Sequence, residues 1–170
     1  YDPLEYGVTK LGFVIPKANS NSDDTLKALG MVDALLAKAI GWQELKIVAY
    51  DADNVTDENN LILVGTPSEN TAIEKLNASM PIKISGNSFN NVDDETGVLM
   101  IVQNPSNKSN SILVVSGNTP KAVLKAANAL TQLPTRHIFK GNSVLVKQNF
   151  ENDKAKLRNW PEYVSETNVT

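Results

Sequence analysis

NLILVGTP at residues 60–67 and SILVVSGNTP at residues 111–120 share one layout: a short apolar run, a glycine, then Thr-Pro. Short apolar runs closed by turn residues read as buried strands. Thr before Pro reads as a helix start, because the hydroxyl can accept an orphan amide and the fixed φ of proline suits the first helical position. Each block is therefore expected to be a strand-to-helix elbow, with Thr66 and Thr119 as the caps. Glu69 stands three residues after Thr66, the spacing of a capping box, and a helix is expected from there through Leu76. After Thr119 the helical pattern continues through KAVLKAANAL, with Val123, Leu124, Ala127 and Leu130 on the core side. Two such blocks are too few for a solenoid.

Working outward, LGFVI at residues 11–15 is a first buried strand stopped by Pro16. Leu26, Leu29, Val32, Leu35, Leu36 and Ala39 then recur at helical spacing, with Ser22 able to cap that helix and Gly41 able to end it. LKIVAY at residues 45–50 is a second strand, and it and LILVG both read as parallel and central. GVLMIVQ at 97–103 and SILVVSG at 111–117 flank the turn-rich NPSNKSN and read as an antiparallel hairpin. SVLVK at 143–147 is a last strand. Residues 77–96 are largely polar, with one apolar patch at Ile82 and Ile84, and carry no assignable pattern; irregular connections of that length are often functional. The expected class is α/β: a mostly parallel sheet with an antiparallel hairpin at about 97–117 and helices on both faces. The right-handed crossover rule favours a flavodoxin-like layout. Residues 1–150 are expected to form one domain, and 151–170 a charged linker or tail.

The chain has 170 residues, 41% hydrophobic and 21% charged, enough for a single core that needs no disulfide or metal staple. The net charge of -3, with acids and bases interspersed, lacks the field that collects nucleic acid or anionic lipid. There is no cysteine, which excludes a thiol nucleophile, an iron–sulfur cluster and a thiolate zinc site. No apolar run approaches the roughly 18 residues needed to span a bilayer as a helix. Four N-x-S/T sequons, at Asn54, Asn77, Asn107 and Asn168, are expected by chance in a chain this rich in Asn, Ser and Thr.

Chemistry-bearing patterns are sparse. The single histidine, His137, has no G-x-S-x-G nucleophile to serve, and the acidic runs at 51–58 and 93–95 lack calcium-loop spacing and read as solvated turns. Neither G-x-x-x-x-G-K nor G-x-G-x-x-G is present. The loop KANSNSDD at 17–24 stands where a flavodoxin would hold flavin phosphate, but Asp23 and Asp24 would set negative charge against that anion. Catalytic, cofactor and metal sites are therefore expected to be absent. The remaining candidate is an interaction rim of Ser68, Asn70, Asn118 and Thr119, where the elbows meet the carboxyl ends of the strands, the usual ligand edge of an open sheet.

Five segments in order, FVIPKANS, ALGMVDALLAKAIG, NNLILVGTPSENTAIEKL, TGVLMIVQNP and NSILVVSGNTPKAVLKAANAL, resemble the regulatory-subunit family of bacterial cellulose synthase over residues 11–147. The resemblance implies a non-catalytic, flavodoxin-like accessory domain of an exopolysaccharide synthase, on the extracytoplasmic face of the cell membrane, with no flavin. It implies as partners the catalytic cellulose synthase subunit, adjacent carbohydrate-binding domains of the same chain and the emerging glucan. Nucleic acid is not implied, and the membrane enters only through an anchor outside this segment, so a fragment of a longer membrane-anchored protein is expected. Two other readings stay open: an FMN-binding flavodoxin-like protein, and a stand-alone cell-surface scaffold or glucan-binding domain using Trp42 or Trp160.

Overall fold

A computed structural model describes residues 9–16, 22–40, 45–51, 60–132 and 141–147. Strand β1 (Thr9–Ile15) leads to helix α1 (Asp23–Ile40), then β2 (Leu45–Asp51) and β3 (Asn60–Val64). A short helix α2 (Thr71–Lys75), a 3-10 turn at Asn77–Ser79 and the two-residue strands β4 (Ile84–Ser85) and β5 (Ser88–Phe89) follow. Then come β6 (Gly97–Gln103), β7 (Ser111–Gly117), α3 (Pro120–Gln132) and β8 (Ser143–Val146).

Six strands form one sheet in the order β2-β1-β3-β7-β6-β8. β1 pairs parallel with β2 and β3, and β3 pairs parallel with β7, while β6 runs antiparallel to both β7 and β8. The hairpin expected between 97 and 117 is thus present, with Gly97 opposite Gly117. β4 and β5 form a separate antiparallel pair. One expectation changes: β3 is central but β2 lies at the sheet edge, because an apolar run records burial and not how many neighbours a strand has.

Alternate side chains divide between two cores. Leu61, Leu63, Val98, Met100, Ile112 and Val114 face one side, where Ala72 and Ile73 of α2 pack with Leu76, Met80, Ile84 and Phe89. Ile62, Val64, Leu99 and Val115 face the other, against Ala28 and Val32 of α1 and Val123, Ala126 and Ala127 of α3. Cover on both faces explains why the strands read as continuous apolar runs. It also resolves residues 77–96, whose few apolar side chains are spent as a lid over the first face.

The helix faces differ in detail from their sequence reading. In α1, Ser22 does cap the start, its Oγ accepting the Thr25 amide at 3.2 Å, but Leu26 is exposed while Thr25, Ala28 and Val32 are buried. In α3 the fully covered positions are mostly alanines, with Leu124 and Leu130 half-buried, and Lys125 is buried as well. Small residues bring α3 close to the sheet. A Cβ built at Gly117 would lie 2.5 Å from that of Ala122, and one at Gly97 would lie 2.8 Å from the Ala122 carbonyl oxygen. The helix can reach the β6–β7 hairpin only because two facing strand positions lack a side chain.

Candidate functional site

The two elbows lie side by side at the carboxyl ends of β3 and β7, as their shared layout predicts. At the second, Thr119 is the N-cap of α3: its Oγ1 accepts the Ala122 amide at 3.2 Å and donates to the Asp94 carbonyl at 2.7 Å. Thr119→Ala should lower stability by about 0.5–2 kcal/mol, checked by urea unfolding at constant m-value.

The first elbow departs from expectation. Thr66 and Glu69 do form a capping box, the Glu69 amide donating to Thr66 Oγ1 at 3.2 Å and the Thr66 amide to Glu69 Oε2 at 3.1 Å. The box closes only a single turn, and α2 begins after Asn70 instead of running from residue 67 through Leu76. The chain turns at Asn70 because that side chain is drawn inward. It is fully buried, and its Nδ2 donates to the carbonyls of Val14 and Val64, both at 3.1 Å. Asn70 thus ties the ends of β1 and β3 together, and its Oδ1 has no partner among the described residues.

Sequence reasoning saw Glu69 as a local cap and missed its longer reach. Its buried carboxylate also accepts the Thr25 hydroxyl at 2.9 Å and the Ser22 amide at 3.2 Å, so it sits against the first turn of α1. The Ser22 hydroxyl donates to Thr25 Oγ1 at 3.0 Å, which completes a directed chain of hydroxyls ending on the carboxylate. A helix start is where a phosphate is most readily held, by amides and dipole together. Here a side chain of the protein already takes those donors. No local pattern could reveal this, since Ser22 and Glu69 lie 47 residues apart.

The end of β7 is also engaged within the fold. Asn118 Oδ1 accepts the Phe89 amide and its Nδ2 donates to the Val92 carbonyl, both at 2.7 Å. Together with Thr119 it pins residues 89–94 across the strand end. Lys125 extends the clasp by donating to the Glu95 backbone carbonyl, while Lys121 reaches the Glu95 carboxylate at 3.2 Å. In the same loop the Asp93 carboxyl is held below its ordinary range, chiefly by a hydrogen bond from the Thr96 side chain. Of the four rim residues, Ser68 is exposed, Asn118 and Thr119 are half-buried with their polar atoms occupied, and Asn70 is inside.

A model of the cellulose synthase BcsB family, describing its first FD domain, matches residues 1–146. The chain belongs to that family. No curated protein matches it. The family is that of an accessory component of cellulose synthase, which agrees with the resemblance carried by the five sequence segments. Among the described residues of this BcsB domain no group of three or more acids or histidines could hold a metal, and no helix is long and apolar enough to cross a membrane. His137, Trp42, Trp160 and the acidic run at 52–58 lie outside the described residues.

Proposed function

We propose that this domain is a non-catalytic, flavodoxin-like part of the accessory subunit of a cellulose synthase, working on the extracytoplasmic side of the membrane. The observation that carries the reading is the family match over residues 1–146. The flavodoxin-like description rests on the order β2-β1-β3-β7, parallel throughout, with β8 in the fifth parallel position and β6 inserted between the last two. The non-catalytic description is supported by the strand-end chemistry. Glu69, Asn118, Thr119 and the Asn70 amide nitrogen spend their polar atoms on other parts of the same fold, and a flavin phosphate at the start of α1 would have to displace the Glu69 carboxylate.

Its partners are the catalytic synthase subunit, the carbohydrate-binding domains that adjoin it in the longer chain, and the glucan. The proposed contact rim is the elbow pair, with Ser68 outermost and Asn118 and Thr119 setting the loop at 93–95; Asn70 supports the rim from within. Ser68→Arg in the full-length accessory protein tests it by copurification with the catalytic subunit and by cellulose yield. The expected result is loss of both, with unfolding free energy changed by no more than about 0.5 kcal/mol, as for an exposed position. Unchanged copurification and yield would place the contact surface elsewhere.

A further inference from the structure

Lys125 is 6% exposed in the second turn of α3, a depth at which a charged side chain needs partners. Its ammonium donates to the main-chain carbonyls of Glu95 and, at 3.4 Å, of Lys147. The Glu95 carboxylate lies 3.9 Å away, largely exposed and closer to Lys121 at 3.2 Å. Packing alone does not call for a lysine here, since a hydrophobic side chain of similar volume is often at least as stable as a buried ion. What the ammonium adds is its hold on the two carbonyls.

Their place in the sheet gives that hold a use. Gly97 opposite Val146 is the last rung of the antiparallel β6–β8 ladder, and Glu95 and Lys147 stand just past it, where the ladder has ended. Helix α3 comes close enough to bridge them because position 97 has no side chain: a Cβ there would lie 2.8 Å from the Ala122 carbonyl oxygen and from the Ala126 amide nitrogen. The loop side of the bridge is a stiff turn. Asp93 Oδ1 accepts the Glu95 amide at 3.0 Å and the Asp93 carbonyl accepts the Thr96 amide at 3.3 Å, so a shift at Asp94, which Thr119 holds, carries Glu95 with it. On the strand side, Lys147 is the first residue beyond the stretch that the family's domain model matches.

We propose that Lys125 is a conformational latch that joins the 93–95 loop beside the rim to the point where the chain leaves β8, so that freeing one end frees the other. Both acceptors are main-chain carbonyls, so the latch answers to the path of the backbone and not to the side chains it carries. Coupling of this kind is reciprocal. It holds whatever the rim binds.

The test is native-state amide hydrogen exchange of the full 170-residue chain, with β3 as the internal reference. Lys125→Met keeps a buried stem and removes the donors. Amides of residues 95–97 and 144–147 should then exchange together, about tenfold faster or more, the loss expected for hydrogen bonds from a charged donor, while those of β3 keep their rates. Thr119→Ala releases the loop at Asp94 and leaves Lys125 in place. It should speed exchange at 144–147 in the wild-type chain and not in the Lys125→Met chain, which separates a latch from a lysine that only adds stability. Glu95→Gln keeps the carbonyl and should leave 144–147 within about threefold of the wild-type rate, as an exposed ion pair contributes little. Unchanged exchange at 144–147 in Lys125→Met, equal acceleration in β3, an equal effect of Thr119→Ala in both backgrounds, or release of the strand end by Glu95→Gln would overturn the latch. Should Lys125→Met fail to fold, Thr119→Ala in the wild-type chain decides alone: acceleration at 144–147 relative to β3 supports the coupling, and its absence overturns it.

Discussion

Phe89→Ala should lower the unfolding free energy by about 3–5 kcal/mol, the usual cost of deleting a buried aromatic ring and leaving part of its volume empty. Phe89 is 3% exposed, although it belongs to a two-residue strand, and with Met80 and Ile84 it is one of the buried apolar side chains of the lid. Its ring joins the core cluster of Val98, Met100 and Val114, and its amide donates to Asn118. Phe89 shares the cover of this face with Met80 and Ile84, and losing its ring leaves the sheet beneath it partly uncovered. Urea unfolding should show a lower midpoint, and amide hydrogen exchange should show residues 84–96 opening before the sheet. An exchange pattern in which the lid stays as protected as β7 would contradict the assignment of Phe89 as an anchor of the lid.

Glu69→Leu should be the most damaging polar change. The carboxylate receives the Thr66 amide, the Thr25 hydroxyl and the Ser22 amide, and an orphaned buried donor costs about 1–3 kcal/mol. Two or more are orphaned at once, and the start of α1 loses its link to the β3 elbow. Glu69→Gln keeps one acceptor oxygen but turns an NH₂ toward donors, so it should fall between wild type and leucine. Midpoints from urea unfolding in that order would support the role. A leucine variant as stable as wild type would mean that water or another group takes over the donors.

Much of the architecture was legible locally. The runs at 61–64 and 112–115 are covered on both faces, with only Leu113 half-buried, so they read as strands without help from periodicity. Ser22 and Thr119 cap their helices as expected, because capping uses hydroxyls within three residues of the amides they serve. The chemistry of the candidate site was much less legible. Glu69, Asn118 and Thr119 have sequence signals for turns or caps. Their second partners, Thr25, Ser22, Phe89 and Asp94, lie 25 to 47 residues away along the chain, as the pairings Thr119–Asp94 and Ser22–Glu69 show. Asn70 looked like a polar loop residue and is instead a tie between two strand ends.

The amino-acid sequence by itself determined the class of the fold, the two elbows, the β6–β7 hairpin and the family, because each rests on local spacing of apolar, capping and turn residues. Only the tertiary structure decided that β2 is an edge strand, that residues 77–96 cover the sheet, and that Gly97 and Gly117 make room for α3. It also decided that Glu69 serves the start of α1 and that Lys125 spans from the Glu95 carbonyl to that of Lys147. The physical reason is the same in each case. Backbone conformation responds to neighbours within a few residues, whereas burial and hydrogen-bond satisfaction are set by groups that meet only when the chain has closed on itself.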